Sequence, residues 1–265
     1  MEIMLGIIIF ILGLCFGSFV NMLVYRTAVQ YGQISDFRFQ ISDRKRSFCD
    51  YCGKQLNWYE NIPVFSWIVL KGKTRCCGKK LPLSYPIVEI TTGLLFLTRF
   101  QISDIRSQVL MLIIGLIIIV LLVFSAVFDW KYMILPDFST IVLIGCAIGL
   151  IFGEMWGRHG GLPLQQILSA LIGAGFLLVL NLVTKGRGMG MGDVKFAIFM
   201  GLFLGYPKII VAFYVAFIVG AIYGLILMIL KKANKKSQVP FGPFLIFGTM
   251  VAWWFGEKIV ELIRL

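Results

Sequence analysis

Apolar runs of 18 or more residues recur along the whole chain and constrain its fold more than any other feature. A run of this length can cross the hydrocarbon core of a bilayer as an α-helix. Hydrophobic residues make up 59% of the 265 residues and charged residues only 14%. The sequence therefore predicts an all-α polytopic membrane protein with about eight transmembrane helices, at 3–24, 84–99, 108–128, 134–153, 165–184, 194–206, 209–230 and 241–262.

The basic residues are distributed unevenly between the connections. If successive connections lie on alternate sides, most of the 25 Lys and Arg residues fall on one side, in 25–83 and in the turns at 129–133, 185–195 and 231–236. Connections rich in Lys and Arg stay in the cytoplasm, so both termini are predicted to be extracytoplasmic. This topology accounts for the formal net charge of +12 without a nucleic-acid partner.

The chain divides by composition into three regions. The first apolar run is preceded by a single charge, Glu2, and lacks a small-residue cleavage site, so 1–24 is predicted to be a retained transmembrane helix. Residues 25–83 form a cytoplasmic insertion between the first and second spans. Residues 84–265 form a membrane-embedded region with short turns.

Four of the six cysteines lie in the cytoplasmic insertion, as Cys49 and Cys52 and as Cys76 and Cys77. Disulfides are rare in the cytoplasm, whereas four thiolates can hold a structural zinc ion. The second pair is adjacent, however, and neighbouring side chains of an extended segment point to opposite faces. Both sulfurs reach one ion only through a tight turn, so zinc and a metal-free loop with reduced thiols both stay open.

Four carboxylates lie in or at the edge of apolar spans, where an ionised acid is costly and often functional. They are Glu89, Asp129, Asp137 and Asp193. The alternative without a function for one such acid is an ion pair at the membrane interface, for example Asp129 with Lys131. Two acids at the same depth on the same side weaken that alternative.

Asp129 and Asp193 are predicted to be a catalytic pair at the cytoplasmic ends of helices. Two carboxylates a few ångströms apart share a proton, because they cannot both ionise cheaply. The ionised one takes a proton from water, and the protonated one polarises a scissile carbonyl. The single histidine, His159, falls in a predicted extracytoplasmic loop, away from any such pair, and is interpreted as a solvated loop residue.

A series of short motifs follows the chain from its first span to its last. They are Gly17-Ser18-Phe19-Val20-Asn21, Cys49-x-x-Cys52, Trp58-Tyr59-Glu60-Asn61-Ile62-Pro63, Tyr85-Pro86-Ile87-Val88-Glu89, Asp129 with Leu135-Pro136-Asp137, Gly190-x-Gly192-Asp193 with Lys195, and Pro240-Phe241-Gly242-Pro243-Phe244. In this order, and over nearly the whole chain, they resemble the bacterial type IV prepilin peptidases, also called leader peptidase/N-methyltransferases, which are intramembrane aspartyl proteases of the Gly-x-Gly-Asp type.

The resemblance implies two activities at the inner membrane. The first is cleavage of the short basic leader of type IV prepilins or pseudopilins, after a glycine, on the cytoplasmic side. The second is methylation of the new N-terminal amine with S-adenosylmethionine. It also implies that Asp129 and Asp193 are catalytic. Gly190, Gly192, Lys195, Pro136 and Asp137 support them, Asp137 through helix capping.

The residues for methyl transfer are less well defined by sequence, because no glycine-rich cofactor fingerprint is present. The candidates lie between the insertion and the early spans, and for the polar loop residues a structural hydrogen bond is an equal alternative. They are Glu60, Asn61, Lys71, Glu89 and Gly93. Two other functions remain open: a peptidase without the transferase, and a non-enzymatic transporter or assembly scaffold whose acids carry protons or hold partner helices.

Overall fold

The described chain is mainly α-helical, with one long connection between its first two long helices. The computed structural model describes residues 2–33, 47–49, 51–102, 109–157, 164–186, 188–231 and 239–263; His159 lies outside them. Within these residues the helices are α1 (Glu2–Gln30), α2 (Phe65–Val69), α3 (Ser84–Ile102), α4 (Val109–Tyr132), α5 (Asp137–Gly157), α6 (Leu164–Val183), α7 (Met191–Leu204), α8 (Lys208–Ile229) and α9 (Gly242–Ile263), and a 3₁₀ turn spans Trp58–Asn61.

The eight long helices match the eight predicted spans, with shifted ends. Four are long and apolar enough to cross a membrane: Ile3–Gln30, Val109–Tyr132, Leu164–Val183 and Lys208–Ile229. The all-α polytopic prediction, with a cysteine cluster between the first two long helices, is confirmed. The shifts place Asp129 inside the last turn of α4 and Asp193 inside the first turn of α7.

The described chain separates into two compact units, residues 1–127 and 128–265, and the boundary falls within α4. In the first unit α1 and α3 run antiparallel in close contact. A Cβ added at Gly13 would lie 2.7 Å from the Cα of Gly93, and one added at Gly17 would lie 2.6 Å from the Cα of Glu89. Small residues let the backbones of membrane helices approach in this way.

In the second unit α7 packs between neighbours, and glycines again set the closest approaches. A Cβ added at Gly201 of α7 would overlap the backbone of Ala170 on α6. Phe196 and Phe199 of α7 are fully buried. At 14 residues, α7 is about 21 Å long, shorter than the roughly 30 Å hydrocarbon core. Its buried positions occur on several sides, as in a helix enclosed by protein.

Candidate active site

Asp129 is a buried carboxylate whose position is fixed from the far end of the chain. It occupies the last turn of α4, and its Oδ2 accepts a hydrogen bond from the backbone N–H of Gly242 at 3.1 Å. Gly242 is the first residue of α9, where the first backbone N–H groups lack partners within the helix. The N-terminus of α9 therefore supplies a donor and a favourable dipole to this carboxylate.

Asp193 is held in a similar way at the N-terminus of its own helix. It is the third residue of α7, and its Oδ2 accepts the backbone N–H of Gly190, the N-cap, at 3.0 Å. The segment before the helix is tied back to α6, because Asn181 Nδ2 donates to the carbonyl of Met189 at 2.6 Å. Asp193 thus caps α7 while its carboxylate is almost fully enclosed.

The structure brings the two aspartates into one site in the second unit. Their carboxylates lie close enough for their charges to interact. Leu135, in the extended segment after α4, lies against the glycines that neighbour both acids. A Cβ added at Gly192 would lie 3.1 Å from the Leu135 Cβ, and one added at Gly242 would lie 3.2 Å from the Leu135 Cδ1. Two buried acids arranged in this way can share one proton and activate a water molecule.

The glycines next to the two acids differ in the space that they leave for a side chain. A Cβ added at Gly242 would lie only 2.6 Å from Asp129 Oδ2, and one added at Gly190 would lie 3.5 Å from Asp193 Oδ2. Gly242 was absent from the predicted site residues, although it belongs to the Pro-Phe-Gly-Pro-Phe motif quoted above. The position of this glycine between Pro240 and Pro243 was the sequence signal that could have identified it.

Asp137 and Lys195 form an ion pair beside the site instead of joining it. Lys195 Nζ lies 2.7 Å from Asp137 Oδ1. The lysine side chain is 48% exposed and the aspartate side chain 58% exposed. Asp137 is the first residue of α5, and the carbonyl of Pro136 accepts the hydroxyl of Ser139 at 2.8 Å. The pair therefore connects the N-terminal turns of α5 and α7, the helices that flank Leu135.

The four cysteines of the first unit form one cluster, in which the four sulfurs all lie within 4.8 Å of one another. Two tight turns of the same construction supply them. Gly53 N–H donates to the Cys49 carbonyl, and Gly78 N–H donates to the Thr74 carbonyl, each at 2.9 Å. Both glycines have a φ of 68°, which favours glycine.

This construction explains the adjacent pair. Thr74 occupies the position in the second turn that Cys49 occupies in the first, and Cys76 provides the fourth sulfur. The Cys52 and Cys76 sulfurs are 3.2 Å apart, and those of Cys49 and Cys77 are 3.9 Å apart. A tetrahedral zinc with bonds of about 2.3 Å needs sulfurs roughly 3.8 Å apart. The cluster therefore fits a four-coordinate metal.

The protonation of these thiols is uneven. The Thr74 hydroxyl, 3.1 Å from the Cys77 sulfur, is the main cause that lowers the pKa of Cys77 to about 7. A hydrogen bond with Cys52 is the main cause that raises the pKa of Cys76 to about 12. Metal binding to this cluster would therefore release protons, since thiolates are the ligands.

A cavity of about 410 Å³ lies in the first unit between α1, the insertion and α3. Three of the five candidates for the methyl-donor site line it: Glu60, Asn61 and Glu89. Lys71 and Gly93 are not among the lining residues. Gly93 instead packs in the α1–α3 contact, where an added Cβ would lie 2.8 Å from the Phe10 ring.

Glu89 is the buried carboxylate of this cavity. Its Oε2 accepts the backbone N–H of Val64 at 2.7 Å, and Val64 has an unusual φ of 60°. The cavity also contains the side chain of Trp67, whose buried indole N–H has no hydrogen-bond partner in the described part of the chain. Trp67 was absent from the predicted site residues, although it follows Pro63 by only four residues. The cavity thus offers a fixed carboxylate, and the Trp67 side chain forms part of its wall.

Two protein-family models match successive parts of this chain. The Bacterial Peptidase A24 N-terminal domain matches residues 11–102, and the Type IV leader peptidase family matches residues 116–225. A protein of Bacillus subtilis (strain 168) called prepilin leader peptidase/N-methyltransferase is 30% identical over 258 residues, with 96% of each chain covered.

Two further relatives carry the same name. The protein of Aeromonas salmonicida (strain A449) is 29% identical over 278 residues, covering 96% of this chain and 92% of its own length. The protein of Legionella pneumophila is 27% identical over 274 residues, covering 96% and 93%. No solved structure matches this chain.

The fold and the site define a multi-pass membrane protein with a buried aspartate pair. The chain belongs to the type IV leader peptidase family.

Proposed function

We propose that this protein removes the leader peptide of type IV prepilins or pseudopilins and then methylates the new N-terminal amine. The names of the relatives, prepilin leader peptidase/N-methyltransferase, support this proposal. The observation that carries it is the pair Asp129 and Asp193, buried together in one unit, each held by a backbone N–H of a glycine.

The cleavage chemistry follows from that arrangement. One carboxylate is ionised and accepts a proton from the attacking water, while the other is protonated and donates a hydrogen bond to the scissile carbonyl. The pair titrates as a unit. At Gly190 an added Cβ would meet nothing closer than 3.5 Å, so the missing side chain there leaves room for the extended backbone of a substrate next to Asp193.

The site is proposed to work from the cytoplasmic side of the inner membrane. The connections rich in Lys and Arg place the ends of α4 and α7 on that side, where the basic leader of a prepilin is presented. Both termini of this chain are then extracytoplasmic.

Methyl transfer is assigned to the cavity of the first unit. Its volume of about 410 Å³ is in the range of small-molecule sites, roughly 300–1,000 Å³. S-Adenosylmethionine supplies a methyl group on a positively charged sulfur. Glu89 provides a buried carboxylate that favours a cationic group, and the side chain of Trp67 forms part of the wall. Glu60 and Asn61 line the same cavity.

Zinc is proposed as a structural ion held by Cys49, Cys52, Cys76 and Cys77. The described insertion has little regular structure of its own, with one 3₁₀ turn and the five-residue α2. A small domain of this kind often depends on a metal for stability. Since Cys49 and Thr74 also line the cavity, the ion would hold one wall of the proposed methyl-donor site.

The decisive experiment replaces each aspartate by asparagine in the full-length protein. Cleavage of a prepilin, followed by mass spectrometry of its N-terminus, should fall by at least about a hundredfold in Asp129→Asn and in Asp193→Asn, because general acid–base catalysis contributes about 10²–10⁴-fold. Labelled S-adenosylmethionine added to a pre-cleaved substrate reports methylation in the same preparations, and this second activity should survive.

Other outcomes discriminate between the alternatives. Retained cleavage in either variant contradicts the assignment of the pair and favours a transporter or scaffold. Cleavage by the unaltered protein without any label transfer favours a peptidase that lacks the transferase. Unchanged expression and thermal unfolding of the two variants exclude misfolding as the cause of lost activity.

A further inference from the structure

The short helix α2 has two faces with different surroundings. Ser66, Trp67 and the adjacent Leu70 line the cavity of the first unit. On the opposite face the side chains of Phe65, Ile68 and Val69 are 60%, 60% and 59% exposed. The three follow an i, i+3, i+4 spacing, so they form one apolar strip.

The position of α2 along the membrane helices can be read from its contacts. The backbone N–H of Val64, immediately before α2, donates to Glu89 of α3 at 2.7 Å. Glu89 lies against Gly17 of α1, whose apolar stretch continues to Val24 before its first basic residue, Arg26. The helical rise from Gly17 to Val24 is about 10 Å.

The antiparallel packing of α1 and α3 supports this depth at more than one level. Gly13 lies against Gly93, and Asn21 Nδ2 donates to the Tyr85 carbonyl at 3.2 Å. Glu89 is therefore not at the end of the helix pair but about a turn inside it. The start of α2, bonded to Glu89, lies beside the apolar part of α1 instead of beyond its cytoplasmic end.

We propose that α2 is a membrane-interface anchor, with Phe65, Ile68 and Val69 inserted between phospholipid acyl chains. An apolar strip at this depth meets lipid, whereas the same strip above the membrane would meet water. Lys71 and Lys73, which follow the helix, are exposed and attract anionic headgroups. The anchor fixes Trp67 and the cavity wall on its other face.

Photocrosslinking from the protein tests the anchor. Benzoyl-phenylalanine replaces Phe65, or Ile68, in the full-length protein in nanodiscs of phosphatidylethanolamine and phosphatidylglycerol. Illumination should increase the intact mass by one phospholipid. The matched control places the same group at Tyr51, an exposed ring in the first cysteine turn. Its hydroxyl donates to the carbonyl of Lys80, which follows the second turn. No lipid adduct is expected at position 51.

Crosslinking from the lipid tests the anchor without any variant. A phospholipid with a diazirine in its acyl chain is illuminated with the unaltered protein, and adducts are mapped on peptides. Adducts within 65–69, and none on the peptide that contains Tyr51, support the proposal. The absence of adducts within 65–69 overturns it, and so does equal labelling of both segments.

A protein partner is the remaining outcome of the test. If position 65 or 68 crosslinks to an added prepilin and never to lipid, the strip is a substrate-docking surface and the membrane-anchor proposal is wrong. Unchanged thermal unfolding of each variant that carries benzoyl-phenylalanine shows that the protein still folds.

Discussion

The Asp129 carboxylate depends on a backbone donor that lies 113 residues away in sequence, at Gly242. The glycine serves two purposes there. Its N–H supports one carboxylate oxygen, and its missing side chain keeps the space that the same oxygen occupies. Asp193 has the equivalent donor at the N-cap of its own helix. The two acids thus have different supports, one long-range and one local.

Gly242→Ala should therefore abolish or strongly reduce leader cleavage. The backbone N–H is retained, but the new Cβ would lie 2.6 Å from Asp129 Oδ2, so the carboxylate must move. A displacement of about 1 Å costs roughly a hundredfold in rate. The rate of prepilin cleavage by purified protein measures the effect.

Gly224→Ala is the matched control, because a Cβ added at Gly224 of α8 meets nothing within 4 Å. It should leave cleavage unchanged and raise the free energy of unfolding slightly, by about 0.5–1 kcal/mol, since alanine favours helix. Full activity in Gly242→Ala would show that the Asp129 carboxylate does not need its present position.

At the scale of elements, the N-terminal turns of α5 and α7 are joined by the ion pair of Asp137 and Lys195. Because both side chains are about half exposed, Asp137→Asn should reduce the free energy of unfolding by only about 0.2–1 kcal/mol, with a smaller effect at high salt. Leader cleavage should stay within a few-fold of normal. Thermal unfolding in detergent at two salt concentrations, together with a cleavage assay, measures both. A loss of cleavage as large as in Asp193→Asn would place Asp137 among the catalytic groups.

The two cysteine turns give a second prediction at this scale. Cys76→Ser should lose zinc, because only three sulfurs remain within the cluster. The double variant Thr74→Cys/Cys76→Ser should bind zinc again, since the thiol introduced at position 74 and Cys77 would then repeat the construction of the first turn. Metal analysis of the purified variants checks this, with one zinc per unaltered chain as the reference. A double variant without zinc would show that the adjacent pair is required.

At the scale of the whole molecule, the candidate residues for the two activities belong to different compact units. Asp129 and Asp193 lie within 128–265, and the cavity with Glu89 lies within 1–127. The two family matches, at 11–102 and 116–225, follow nearly the same division. The predicted regions 1–24, 25–83 and 84–265 remain a proposal about topology, while the compact units group α1, the insertion and α3 together.

Separate units predict separable activities. Glu89→Gln keeps an oxygen that accepts the Val64 N–H but removes the buried charge. Methylation of a pre-cleaved substrate should fall by about tenfold to a hundredfold, the loss expected for a charged hydrogen-bonding group. Leader cleavage should remain near normal, the reverse of Asp129→Asn. Parallel assays of both activities check this, and an equal loss of both would indicate that Glu89 acts through folding.

The sequence by itself determined the all-α membrane architecture, the eight long helices and the two aspartates. Helix formation in a bilayer depends on local apolar length, because every backbone polar group must be satisfied within its own segment. The motifs around Asp129 and Asp193 were also local. The arrangement of the adjacent Cys76 and Cys77 could not be predicted, because the alternation of side chains in an extended segment does not apply to a tight turn.

Only the tertiary structure decided which groups meet. It placed Gly242 beside Asp129. It also brought Cys76 into the cysteine cluster as the fourth sulfur, since Thr74 occupies the position of the first cysteine of that turn. Glu60, Asn61 and Glu89 line one cavity, whereas Lys71 and Gly93 do not. Except for the turn at Thr74, these contacts join residues that are far apart in the chain. The long-range contacts follow from how the helices pack, which a single apolar pattern does not encode.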